Sequence, residues 1–92
     1  MIRVKFYGLL RRELDVVETE VELQRASLRQ ALAAAEAAIG RPFLHLLTDA
    51  AGDPAPGVMI LVNGRNVRLD RNLATEVRPG DEVALFPPVG GG

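Results

Sequence analysis

The chain contains no cysteine and no tryptophan. Without cysteine there is no disulfide framework, no thiolate metal site and no thiol nucleophile. Histidine occurs once, at His45, so imidazoles cannot cluster around a metal. Its neighbours Leu44, Leu46 and Leu47 suggest a partly buried or surface side chain rather than a catalytic one. Neither sign of charge dominates: 11 Lys+Arg oppose 12 Asp+Glu, for a formal net charge of −1. Nucleic-acid-binding domains normally carry a basic excess or stripe, so that class is excluded. Uncharged apolar runs are short and broken by Gly and Pro, so none reads as a membrane span. Arg3 and Lys5 interrupt the first apolar stretch, and no signal-peptide core follows. No glycine-rich phosphate loop follows a strand pattern. These absences point to a small cytoplasmic chain with neither nucleic acid nor membrane as partner, and not a self-sufficient enzyme.

What is present is a globular composition: 92 residues, 48% hydrophobic and 25% charged. Residues 2–7 alternate, with Ile2, Val4 and Phe6 opposite Arg3 and Lys5, which predicts a half-buried strand. Residues 16–23 alternate again, Val17, Thr19, Val21 and Leu23 against three glutamates, and 8–15 form a charged connection. Together they predict an N-terminal hairpin. Ser27 and Gln30 fit a capping box, and an Ala-rich run with Leu28, Leu32, Ala35 and Ile39 on one stripe leads to Gly40. This predicts a helix over 28–39, closed by a glycine cap. Pro42 starts a second short helical turn, and 49–57 reads as a flexible loop. Residues 58–62 are continuously apolar, as a strand buried on both faces would be. Asn63-Gly64 then signals a hairpin, with 65–69 pairing back. Residues 78–81 form a turn, and 82–86 the last strand. The fold class is α+β, a mixed sheet of about five strands with one main helix on one face. Placing the apolar first and last strands side by side in the middle gives a β-grasp.

The chemistry is expected in the tail. Residues 1–86 make the domain, and Pro87-Pro88-Val89-Gly90-Gly91-Gly92 an appended flexible segment. The two prolines stop the strand and favour a stiff, extended exit. Fully extended, residues 87–92 would reach roughly 20 Å. Glycine has no Cβ, so a nucleotide or another backbone can approach closely. A C-terminal glycine carboxylate is an unhindered acyl group that can enter a narrow channel. The plainer reading is an ordinary loose terminus.

The run Asp81-Glu82-Val83-Ala84-Leu85-Phe86-Pro87-Pro88-Val89-Gly90-Gly91-Gly92 closely resembles the ending of the MoaD/ThiS ubiquitin-like sulfur carriers, above all MoaD, the molybdopterin synthase small subunit. Val62-Asn63-Gly64, Pro79-Gly80-Asp81 and the start from Ile2 to Leu14 are also similar to that group. The stretch Val67-Arg68-Leu69-Asp70 with Leu73-Ala74-Thr75 is similar to carriers serving cysteine synthesis.

The resemblance implies a carrier mechanism. An E1-like adenylyltransferase of the MoeB type spends ATP to adenylate Gly92, and a sulfur donor enzyme converts it to a thiocarboxylate, with Gly91 as the slim residue beside it. The chain itself would bind no cofactor and no metal. A MoaE-type large subunit would receive the tail and use the sulfur to build molybdopterin. Phe6, Phe86, Pro87, Pro88, Val89 and Gly90 match positions near the partner-binding face, and Arg11, with Arg12, would meet an acidic partner surface. Plain sheet core is at least an equal reading of Phe6 and of Phe86 taken singly, and solvated charge is the commoner reading of Arg11 and Arg12. Two alternatives stay open. The acceptor of the same chemistry could be cysteine, thiamine, tRNA or a protein lysine, or the chain could be a non-covalent β-grasp interaction module.

Overall fold

A computed structural model describes residues 1–89. Alternation at the N-terminus produces strand β1 (Ile2–Phe6), which buries Ile2, Val4 and Phe6 and leaves Arg3 in solvent. Strand β2 (Glu18–Val21) pairs antiparallel with it, Ile2 opposite Val21 and Val4 opposite Thr19. Their connection is more than a charged loop. Gly8, at φ +58°, turns the chain into a helix, α1 (Gly8–Leu14). Leu10 and Leu14, one turn apart, are buried beneath it, and Asp15 closes it in the left-handed conformation. The Arg41 guanidinium donates to the Glu13 carbonyl at 2.9 Å, satisfying an acceptor the helix end leaves open. Seven residues with no side-chain cap carry too weak a signal to displace the loop reading.

The second helix, α2 (Leu28–Ile39), forms where capping chemistry and propensity agree. The Ser27 hydroxyl accepts from the Gln30 amide at 3.1 Å, and the Gln30 side chain accepts from the Ser27 amide at 2.9 Å. Gly40, at φ +73°, ends it. Its buried stripe is Leu28, Ala31, Leu32 and Ala35. A two-residue strand, β3 (Ala26–Ser27), precedes it and pairs with β6 (Glu76–Val77) in a small separate sheet that the sequence pattern did not signal.

The main sheet has five strands, ordered β2-β1-β7-β4-β5, with β4 (Met59–Val62), β5 (Arg65–Asn66) and β7 (Glu82–Phe86) completing it. First and last strands lie side by side and parallel, Val4 against Val83 and Phe6 against Leu85. All other pairs are antiparallel. With α2 packed on one face, this is the β-grasp. Asn63 and Gly64, at φ +50° and +82°, make the two-residue turn that joins β4 to β5. The expected strand through residue 69 stops after Asn66, whose side chain accepts from the Arg68 amide at 2.9 Å and starts a 3₁₀ turn at Val67–Leu69.

Between sheet and α2 the Phe6 and Phe43 rings meet edge to face, centroids 5.2 Å apart. A 3₁₀ turn at Leu44–Leu46 follows Pro42, and His45 is exposed. Residues 49–57 are tied rather than loose. Asp49 Oδ1 accepts from the Ala51 and Asp53 amides, and Ala55 N–H donates to the Leu47 carbonyl. Arg29 reaches the Gly52 carbonyl at 2.7 Å, and Arg68 holds Pro54, Ala55 and Val58.

Candidate functional site

Strand alternation decides what the uncovered sheet face presents. The core takes Val4, Phe6, Val83, Leu85 and Ile60, so Arg3, Lys5, Glu82, Ala84, Phe86, Met59 and Leu61 fall on the other side. One end of that face is charged. Arg3 lies 3.4 Å from Glu18, 3.9 Å from Glu20 and 3.8 Å from Glu82, and Lys5 lies 3.0 Å from Glu82. The hydrogen bond and charge of Glu82 raise the Lys5 pKa. Exposed pairs of this kind are individually worth little, so this end reads as solvated surface.

The other end is apolar and carries the tail. Tyr7 stacks on Phe86 with ring centroids 4.4 Å apart and planes 10° from parallel. Met59 lies opposite Phe86 across β4 and β7. Beyond them an open groove of about 610 Å³ runs between α1 and the 57–59 segment, with the tail's Pro87, Pro88 and Val89 along it. Leu9, 50% exposed, and Met59, 38% exposed, supply its apolar walls, and Arg12 is the charged residue at its edge. Isolated exposed apolar residues are normal, whereas here Leu9, Met59 and Val89 adjoin along one groove.

The residues singled out in the sequence separate accordingly. Phe86 and Pro87 are half-buried in the groove wall, and Pro88 and Val89 are exposed. Arg11 is exposed on α1, and neither it nor Arg12 enters an ion pair among the described residues. Phe6 is corrected: at 1% exposure against Phe43, it belongs to the core and offers no surface to a partner. Inward alternation on β1 buries it, while Phe86 points outward on β7. Gly90, Gly91 and Gly92 lie outside the described residues. The reading of 58–62 as buried on both faces is corrected too, because Met59 opens onto the groove. Tyr7, Leu9, Met59 and Gly57 were missed. No pattern in the sequence marked them, since Leu9 reads like Leu10 and Leu14 until helix α1 buries the latter two and leaves it exposed. Among the described residues no group of acidic or histidine side chains is arranged to hold a metal.

A family model described as the ThiS family matches residues 4–92. The chain belongs to the ThiS family. This ThiS-family chain is 37% identical over 75 residues to a protein of Archaeoglobus fulgidus whose name proposes it as a sulfur carrier protein, covering 82% of this chain and 84% of the other. A chain from Pyrococcus furiosus, proposed by name as subunit 1 of a molybdopterin converting factor, superposes with a TM-score of 0.67 at 30% identity, over 96% of this chain and 97% of its own. A structure from the Amycolatopsis orientalis BexX/CysO complex superposes at 0.80 over the full length of both chains, at 20% identity, which is a likeness of fold. The ThiS-family chain is therefore a ubiquitin-like carrier by family and β-grasp by fold, and no helix among its described residues is long and apolar enough to cross a membrane.

Proposed function

We propose that this protein carries sulfur as a thiocarboxylate on Gly92 and donates it in molybdopterin formation, as the small subunit paired with a MoaE-type large subunit. The observation that carries this reading is that the ThiS-family match runs through Gly92, on a tail that leaves the middle of the sheet beside an apolar groove. The Pyrococcus furiosus likeness, at 30% identity, supports the molybdopterin reading. A Gly92 carboxylate oxygen attacks the α-phosphorus of ATP held by an E1-like adenylyltransferase, and pyrophosphate leaves. A hydrosulfide equivalent then attacks the acyl carbon, the C–O bond to phosphate breaks, and AMP leaves. The groove and the Tyr7–Phe86 stack give the partner enzymes an apolar footing next to the reacting end. Arg12 on the groove and the exposed Arg11 beside it in sequence on α1 supply charge that an acidic partner surface would complement.

The test is intact-protein mass spectrometry after incubation with ATP, an active E1-like adenylyltransferase and sulfide. The expected result is a mass gain equal to exchanging one oxygen for sulfur, mapped to Gly92. No gain with an enzyme active on its own carrier would overturn the reading. Mixing the sulfur-loaded chain with a MoaE-type subunit and the cyclic pyranopterin precursor then tests the acceptor. Dithiolene formation is expected, and a loaded chain that no pterin empties would move the assignment to another acceptor.

A further inference from the structure

All six glycines among the described residues have positive φ, so conformation alone does not distinguish them. Their surroundings do. At Gly40, Gly64 and Gly80 an added Cβ would meet nothing within 4 Å. At Gly52 it would meet only the Arg29 guanidinium. At Gly57 it would lie 3.3 Å from Pro88 Cβ and 3.7 Å from Pro88 Cα. At Gly8 it would lie 3.5 Å from Pro87 Cγ. The two prolines at the base of the tail are thus seated on two bare stretches of backbone, one on each side of the groove. Gly57 is held in turn. It sits in the turn closed by the Val58 amide on the Ala55 carbonyl at 3.1 Å. Behind that turn the Arg68 guanidinium donates to the carbonyls of Pro54 at 3.2 Å, Ala55 at 2.7 Å and Val58 at 2.9 Å. One rigid fork therefore fixes three carbonyls around Gly57, a geometry a lysine ammonium cannot copy.

We propose that Gly8 and Gly57 form a cradle that sets the direction in which the tail leaves β7, and that Arg68 is the positioning residue that holds the Gly57 side of it. A Pro-Pro pair is stiff, so an angle imposed at its base is passed outward rather than absorbed. In a reacting complex a misplacement of about 1 Å can cost on the order of 100-fold in rate.

Gly64 provides the control, since it shares Gly57's φ of +82° but faces no tail. Gly57→Ala and Gly64→Ala therefore place an alanine at the same φ and differ in what the new methyl meets. Both are compared with wild type, Arg68→Lys and Arg68→Ala in steady-state adenylation by the E1-like enzyme, at a temperature where melting curves show all folded. This arm rests on the carrier reading. Gly57→Ala and both Arg68 variants are expected to lose about 10-fold or more in kcat, with Gly64→Ala near wild type and Gly57→Ala/Arg68→Lys losing less than the product of the singles. Equal kcat for Gly57→Ala and Gly64→Ala would overturn the cradle. A second arm needs no enzyme: nuclear Overhauser contacts from the Gly57 α-protons to the Pro88 ring in the wild-type chain. They are expected there and in Gly64→Ala, and weakened in Arg68→Lys. Their absence from the wild type would overturn the proposal even if the tail carries sulfur. Their presence in a chain that is never adenylated would keep the cradle and sink the carrier reading alone.

Discussion

Asn63 and Asp81 bind two turns to each other, the Asn63 amide donating to Asp81 Oδ1 at 2.9 Å. The same Asn63 side chain accepts from the Glu82 amide at 2.9 Å, and Asp81 Oδ2 accepts from the Arg78 amide at 2.9 Å. Asn63 also sits at φ +50°, a conformation asparagine tolerates better than most residues. The β4–β5 turn and the turn before β7 are thereby joined at the end of the sheet remote from the tail.

Asn63→Ala loses both side-chain bonds and the left-handed tolerance, and is expected to cost about 1–3 kcal/mol. Asn63→Gly loses the bonds but keeps the conformation, so it should cost less. Urea denaturation of the two variants measures the difference. An alanine variant as stable as the glycine one would show that conformation contributes nothing there.

The two phenylalanines of the sheet should separate cleanly. Phe6→Leu is a core change, expected to lower stability by about 1–3 kcal/mol while leaving partner affinity unchanged in the folded protein. Phe86→Ala removes a half-exposed ring from the groove and is expected to weaken partner binding by about 2 kcal/mol, near 30-fold in Kd. Titration calorimetry against the partner enzyme, paired with thermal melts, reads both. Partner affinity that falls for folded Phe6→Leu would contradict the burial argument.

Lys5 is the chain's single lysine, so its titration is seen without overlap. Glu82 raises its pKa above the ordinary 10.5. The folded chain therefore binds this proton more tightly than the unfolded one. The stabilisation is complete below the ordinary value and is lost as pH rises through the folded value. An NMR titration of the Lys5 side chain should give a midpoint above 10.5, moving down in Glu82→Gln. A midpoint unmoved by that substitution would mean the pairing is not its cause.

Deleting Gly91 and Gly92 should leave the melting temperature within error of wild type and abolish sulfur loading. The core among the described residues runs from Ile2 to Leu85. A shortened chain that still performs its cellular role would favour the interaction-module alternative.

The helix at 28–39 was legible because Ser27, Gln30, the alanines and Gly40 all state the same thing. The central pairing of first and last strands was legible from their shared apolar character. Helix α1 was not, since its two buried leucines are separated by Arg11, Arg12 and Glu13 without a capping residue. The tail sequence pointed to the chemistry, but the groove beside it did not show. Its walls come from α1, β4 and β7, far apart in sequence, and Met59 is hidden inside an apolar run. Arg68 stood in a stretch the sequence singled out by resemblance, but its bonds did not show: its three acceptors are carbonyls, which leave no trace in residue identity.

The position of β7 bears on the order of synthesis. Of the strands in this sheet, the one in the middle is synthesised last, and its parallel neighbour β1 first. Until residues 82–86 emerge, β1 and β4 have no common partner, and the closing contact spans nearly the whole chain. The residues that complete the sheet directly precede the tail. A chain interrupted before residue 82 therefore lacks the strand that joins β1 to β4, and its sheet stays in two unconnected parts however well each hairpin forms.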